Sequence, residues 1–212
     1  MQGHECYMDF SSPFGMFHII WDPEDKAHPL RRIYLSSPGE TSLNRMKNKY
    51  PMISFLASPP IREIGRLITA FLEGVPVSLE KVPIDFSLCP PFQATVLKAE
   101  RLVPSGQVIT YSCLASAAGK KSAARATGHA LATNPFPLLI PCHRAIRSDG
   151  ALGGYQGGLA MKRKLLEREG IAFDHDGKVP PEFLMDTGTI LKEKKRIDPH
   201  DRFQKNLCGT DQ

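Results

Sequence analysis

No stretch of the 212-residue sequence approaches the roughly 18 consecutive apolar residues that cross a bilayer, so a membrane-spanning protein is a poor reading. The opening MQGHECYMDFSSPFG lacks a basic segment followed by an apolar one, so no secretory signal is expected. There are no internal repeats. Cysteine pairs at C-x-x-C spacing are missing too. The five cysteines, Cys6, Cys89, Cys113, Cys142 and Cys208, are odd in number and widely spread. A chain this long does not need disulfide staples, so free thiols in a reducing, intracellular compartment are expected. His4, Cys6, His18 and His28 cluster near the start, but their spacing matches no standard zinc pattern. We expect no metal and no cofactor.

What is present suits a folded protein. Hydrophobic residues make up 42% and charged residues 23%, enough apolar content for a core. The formal net charge is +5, from 27 Lys+Arg against 22 Asp+Glu. That permits a polyanionic partner, and it equally describes a solvated Lys-rich surface.

Residues 1–88 read as one unit. Phe17–Trp21 and Arg32–Leu35 look like strands joined through Asp22–Pro29, with His18 packed or surface-facing inside the first. Thr41–Tyr50 looks like a short polar helix. Ser58-Pro59-Pro60 opens a longer helix to about Glu73, with Ser58 as cap and Gly74 as stop. Ile61, Ile64, Leu67, Ile68, Phe71 and Leu72 recur at helical spacing and form a core face. Val75–Leu88 is extended and interrupted by prolines.

A second unit, residues 89–172, is mostly helical. Helices are expected over Phe92–Leu102, over Ser112–Ala118 with Ser112 as cap, and over Ser122–Thr133 opened by Ser122. Gly119-Lys120-Lys121 joins the last two in a helix-turn-helix pattern, which fits either DNA binding or an ordinary helical hairpin. The third helix presents Ala123, Ala124, Ala126 and Gly128, with Arg125 as its one long side chain. Such a face offers little to base edges in a major groove, but lets a backbone approach a narrow minor groove. Tight helix packing uses the same residues. After Asn134-Pro135, Leu138–Ile140 reads as an apolar extended stretch leading into Pro141-Cys142-His143-Arg144. The glycine-rich loop from Gly153 to Gly158 is neither a dinucleotide fingerprint nor a P-loop, and suits a pocket wall against a flat ligand. A last helix spans Leu159–Glu169. Residues 173–212 are charge-rich and read as a peripheral extension.

Cys142 is the candidate nucleophile. A nearby base and positive charge lower a thiol's pKa, and His143, Arg144 and Arg147 are the adjacent sources. Residues next to each other on a strand face opposite ways, so His143 must act after a turn or through water. Glu169 is the carboxylate we favour for orienting the imidazole. A structural cysteine beside an incidental histidine also fits the dipeptide.

Ile140-Pro141-Cys142-His143-Arg144 resembles the active-site signature of the O6-alkylguanine-DNA alkyltransferases, also called methylated-DNA–protein-cysteine methyltransferases. The resemblance runs through Gly106–Tyr111, Ala123–Ala126, Asn134-Pro135 and Gly153–Leu159, covering roughly Phe92–Gly170. It implies an α/β protein: a small N-terminal sheet-plus-helix domain, then a mostly helical domain with a helix-turn-helix and active-site loop. It implies direct-reversal DNA repair, in which the alkyl group of O6-alkylguanine, or less readily O4-alkylthymine, moves irreversibly to Cys142. Each molecule would act once, as a methylated-DNA–protein-cysteine S-methyltransferase.

The resemblance also implies roles. His143 with Glu169 would remove the thiol proton, Tyr111 would donate to the guanine, and Asn134 would tie the recognition helix to the active-site turn. Ala145, Tyr155, Gln156 and Gly157 would hold the base. Ser122, Ala123, Ala124, Ala126 and Gly128 would lie along DNA, with Arg125 filling the space left by a flipped nucleotide. Gln156 departs from the small serine frequent in the family. The partner is double-stranded DNA, the chain is expected to be monomeric, and the compartment is the cytoplasm and nucleoid of a bacterium or the nucleus of a eukaryote. Two rivals remain: a module that recognises alkylated DNA without transfer, in which relatives carry Trp at the cysteine position, and a Cys-His hydrolase.

Overall fold

In a computed structural model, residues 5–26 and 30–197 are described. The N-terminal part is a four-stranded sheet ordered β3-β2-β1-β4, from β1 (Cys6–Phe10), β2 (Phe17–Trp21), β3 (Leu30–Leu35) and β4 (Ser54–Phe55). β1 and β2 pair antiparallel, as do β2 and β3, while β4 runs parallel to β1. Every residue of β2 is buried, because helices cover both faces. Phe17, Ile19 and Trp21 join the main core with Ile61, Ile68 and Leu72 of α2 (Pro59–Glu73). The alternate residue Ile20 packs instead with Met46 of α1 (Ser42–Lys49). His18 is buried on that side, its Nδ1 2.8 Å from Ser42 Oγ.

The C-terminal part is helical, around α3 (Pro91–Glu100), α4 (Tyr111–Ala117), α5 (Ala124–Ala132), α6 (Leu159–Arg168) and α7 (Thr187–Ile197). A two-residue parallel pair, β5 (Ile109–Thr110) and β6 (Ala145–Ile146), ties the start of α4 to the segment after Cys142. α4 ends where Gly119 takes φ +82°, and Lys120 N–H donates to Ala115 O. That left-handed stop turns the chain sharply into α5 and makes the helix-turn-helix. The two halves touch through the backbone, Ile33 N–H of edge strand β3 donating to Pro135 O at 2.8 Å. The architecture is thus the expected α/β arrangement of a small sheet with helices followed by a mostly helical region.

Several local expectations need correcting. Ser58 precedes α2 but makes no side-chain cap; its N–H points to Met8 Sδ. Thr110, not Ser112, caps α4, accepting from Cys113 N–H at 3.1 Å, so that helix begins at Tyr111. Ser122 does not open α5, which starts at Ala124 without a side-chain cap. Leu138–Ile140 is not extended. It is a turn closed by Ile140 N–H to Phe136 O, with Leu138 at φ +74°. The apolar run misled because its residues are buried by a tight turn rather than by a sheet. The segment after Phe173 is not peripheral as far as Ile197. Val108 N–H donates to Phe183 O, Met185 N–H donates to Val108 O, and Val179, Met185 and Ile190 are buried. Residues 198–212, including Cys208, lie outside the described residues.

Candidate active site

Cys142 opens a single 3-10 turn, Cys142–Arg144, directly after the Leu138 turn. The turn takes Cys142 and His143 off a strand, where adjacent side chains would be opposed. Both are buried, at 5% and 0% exposure. Asn134, just after α5, holds the turn. Its Oδ1 accepts from Phe136 N–H at 2.9 Å, and its Nδ2 lies 3.4 Å from both Ile140 O and Cys142 Sγ. A residue just past the end of α5 therefore donates to the thiol sulfur.

His143 Nε2 is 2.9 Å from Glu169 Oε1, across 26 positions of sequence. Arg144 grips the same carboxylate with two nitrogens, at 2.9 and 2.7 Å, and also reaches Val103 O. Burial pushes the Glu169 carboxyl up, but hydrogen bonds and charge from His143 and Arg144 outweigh it and hold it down to about 2. Glu169 is therefore a carboxylate and can only accept, so Nε2 of His143 carries the hydrogen. Burial lowers the imidazole's pKa against the pull of Glu169, which keeps it neutral near pH 7. Nδ1 then has a free lone pair and no hydrogen-bond partner among the described residues.

The arginines do not supply the positive potential expected of them. Arg144 is spent on Glu169, and Arg147 pairs with Asp149 at the surface. Burial pushes the Cys142 thiol up to about 11, only partly opposed by the Asn134 hydrogen bond. The resting residue is a thiol, so its proton must leave in step with any attack.

Tyr111, the first residue of α4, leans on the glycine loop. A Cβ on Gly153 would sit 2.2 Å from its hydroxyl oxygen. At Gly157 a Cβ would sit 2.2 Å from Met161 Sδ. These glycines thus admit the protein's own side chains, a use the sequence pattern did not reveal. Tyr155 stands edge-on to His143 with ring centroids 6.2 Å apart, and its hydroxyl is buried without a partner among the described residues, as is Gln156 Oε1. Gln156 O accepts from Arg45 Nη1 of α1 at 3.2 Å, so the N-terminal part braces this loop. Ala145 is fully buried, its carbonyl taken by Lys162 Nζ at 2.6 Å.

The α5 residues stand apart from this cluster, on the accessible side. Ser122, Arg125 and Ala126 are exposed, and Ala123, Ala124 and Gly128 are half-buried. Gly128 links the two regions, its Cβ position being 4.0 Å from the Tyr111 ring. A cleft of about 440 Å³ lies behind the active-site turn, lined by Leu138, Leu139, Pro141 and Arg144 among others, but not by Cys142, Tyr111 or Tyr155.

The sequence model for the DNA-binding domain of the 6-O-methylguanine DNA methyltransferases matches residues 91–171. The methylated-DNA–protein-cysteine methyltransferase of Methanothermobacter thermautotrophicus is 44% identical over 120 residues, covering 56% of this chain and 67% of that protein. The human protein of the same name is 35% identical over 147 residues, 66% of this chain and 70% of its own length. The chain belongs to the methylated-DNA–protein-cysteine methyltransferase family. Among solved structures, the Mycobacterium tuberculosis OGT in complex with DNA superposes with a TM-score of 0.58 at 28% identity, over 77% of this chain and 91% of that one.

Two groups of this methyltransferase escaped sequence reasoning. Lys162 is fully buried in α6, its amine also 3.2 Å from Gly153 O. Glu100 is fully buried at the end of α3. Each carried a signal: a charged residue three and four positions from apolar ones, on the inward face. No group of three or more metal-ligating side chains assembles among the described residues, and no described helix is long and apolar enough to cross a membrane. His4 and His28 of the N-terminal cluster lie outside the described residues.

Proposed function

We propose that this protein repairs DNA by moving an alkyl group from O6 of guanine, and less readily from O4 of thymine, onto Cys142. The observation that carries the reading is the buried Cys142–Asn134 contact beside a neutral His143 whose Nδ1 is open. Sγ forms a bond to the alkyl carbon as the bond from that carbon to O6 breaks. The thiol proton passes to His143 Nδ1, directly or through a water, and the guanine takes a proton from Tyr111. The proton taken up by His143 then returns through water to the Tyr111 phenolate, so protons balance. The thioether product has no leaving group that water displaces readily, so each molecule acts once.

The target carbon is stacked inside a duplex, and Cys142 is buried. The nucleotide must therefore be flipped out, at a cost of a few kcal/mol. Arg125, exposed on α5 between small residues, fills the vacated space as α5 lies in the minor groove. Tyr155, Gln156, Gly157 and the Ala145 backbone form the wall that receives the base. All these groups come from one chain, so a monomer suffices, acting where the cell keeps its DNA.

Incubation with a duplex bearing one O6-methylguanine, followed by intact and peptide mass measurement, tests this. One methyl on the Cys142 peptide, stopping at one per molecule, is expected. Tight binding without a mass change would instead support a damage-recognition module. Turnover of an ester without DNA would support a hydrolase.

A further inference from the structure

Glu100 has no place in the chemistry above, yet it sits behind it. It occupies the inward face of α3, four residues after Val96 and three after Leu97, both fully buried. Both its carboxyl oxygens are buried and neither meets a hydrogen-bond partner among the described residues. A buried carboxylate without a partner is strongly disfavoured, whereas the protonated acid is far cheaper. Its charge couples to that of Lys162, whose amine donates to Ala145 O and Gly153 O and lies 6.0 Å from the centre of the Tyr111 ring.

We infer that Glu100 is a positioning residue for Cys142: protonated in the reactive site, it leaves the Lys162 charge uncompensated, and once ionised it holds the Cys142 and Tyr111 protons in place. The inference rests on the reading of Cys142 as alkyl acceptor. The groups whose charge couples to Glu100 are Lys162 from α6, Arg144 and Cys142 from the 3-10 turn, and Tyr111 from α4. α5 also packs on α3, but its Arg125 and His129 are exposed. Burial pushes Glu100 up to about 8 against the attraction of Lys162 and Arg144. Burial brings Lys162 down to about 8 against the charges of Cys142 and Glu100. Burial, then the Glu100 charge, pushes Tyr111 up to about 12. Near neutral pH the charge behind the pocket is therefore that of Lys162 alone, which favours thiolate. Above pH 8 it turns negative, which opposes thiolate.

The test is the pH profile of Cys142 alkylation by iodoacetamide, read by peptide mass, for the full-length protein and for Glu100→Gln. Methyl transfer from the O6-methylguanine duplex is followed in parallel. Below pH 7 the two proteins should react alike. Above pH 8 the natural protein's rise should bend over while Glu100→Gln continues upward, reaching about a tenfold difference, the equivalent of one unit of thiol acidity. Superimposed profiles overturn the inference. Glu100→Leu, apolar and of similar size, should reproduce the glutamine profile, and it serves if the glutamine variant does not fold. In the unmodified protein, the infrared band of a protonated carboxyl should persist at pH 7 and vanish as pH passes 8; its absence at pH 7 overturns the inference. Failure of methyl transfer with a normal iodoacetamide profile would sink the proposed function and leave Glu100's role standing.

Discussion

Replacing Glu169 by Gln separates the carboxylate's charge from its shape. The carboxyl is held at about 2 against an ordinary 4.5. At about 1.4 kcal/mol per pH unit, the gap corresponds to about 3 kcal/mol of folding stability. A depressed carboxyl contributes fully above the unfolded value near 4.5, and loses that contribution as pH falls toward 2. Glu169→Gln should therefore cost about 3 kcal/mol at pH 7 in urea unfolding, because Arg144 and His143 lose the charge that both address. The deficit should shrink as pH is lowered from 5 to 3, because the unfolded chain takes up a proton on Glu169 near 4.5 while the folded protein still holds it ionised. A deficit below about 1 kcal/mol at pH 7, or one that stays constant down to pH 3, would refute the argument that His143 and Arg144 hold this carboxylate. Alkyl transfer should slow in the same variant, since an amide no longer secures the hydrogen on Nε2.

Three further outcomes are expected. Gly153→Ala would place a Cβ 2.2 Å from the Tyr111 hydroxyl, so the phenol must move; transfer from free O6-benzylguanine should fall on the order of 100-fold while circular dichroism stays unchanged. If Arg125 fills the space of a flipped nucleotide as proposed, Arg125→Ala should slow repair of a duplex far more than reaction with free O6-benzylguanine; equal losses would contradict that role. Arg45→Ala removes the bonds to Leu35 O and Gln156 O, so amide hydrogen exchange should rise in residues 153–158 and remain slow in β2.

Much of this protein is written locally. The apolar positions of α2 recur with helical period and meet one core, and Gly74 ends the helix at φ +91°. β2 runs over the expected Phe17–Trp21, since a buried run bounded by turn residues leaves little freedom in where a strand lies. Gly119 places the helix-turn-helix, and Pro141-Cys142-His143-Arg144 marks the candidate nucleophile. Caps were harder to place, because Thr110 and Ser112 are both competent and only the backbone's course decides which oxygen meets an amide.

The rest belonged to the tertiary structure. No local pattern says that Arg144 gives its charge to Glu169, that Leu138 turns left-handed, or that residues 179–190 close over Val108. Nor does any spacing state that Glu100 and Lys162 are sealed behind the pocket. Period and turn chemistry depend on neighbours along the chain, so the sequence alone determined most elements and singled out the candidate cysteine. Charge pairing and burial depend on which distant surfaces meet, so only the folded chain decided the protonation of Cys142, His143 and Glu169.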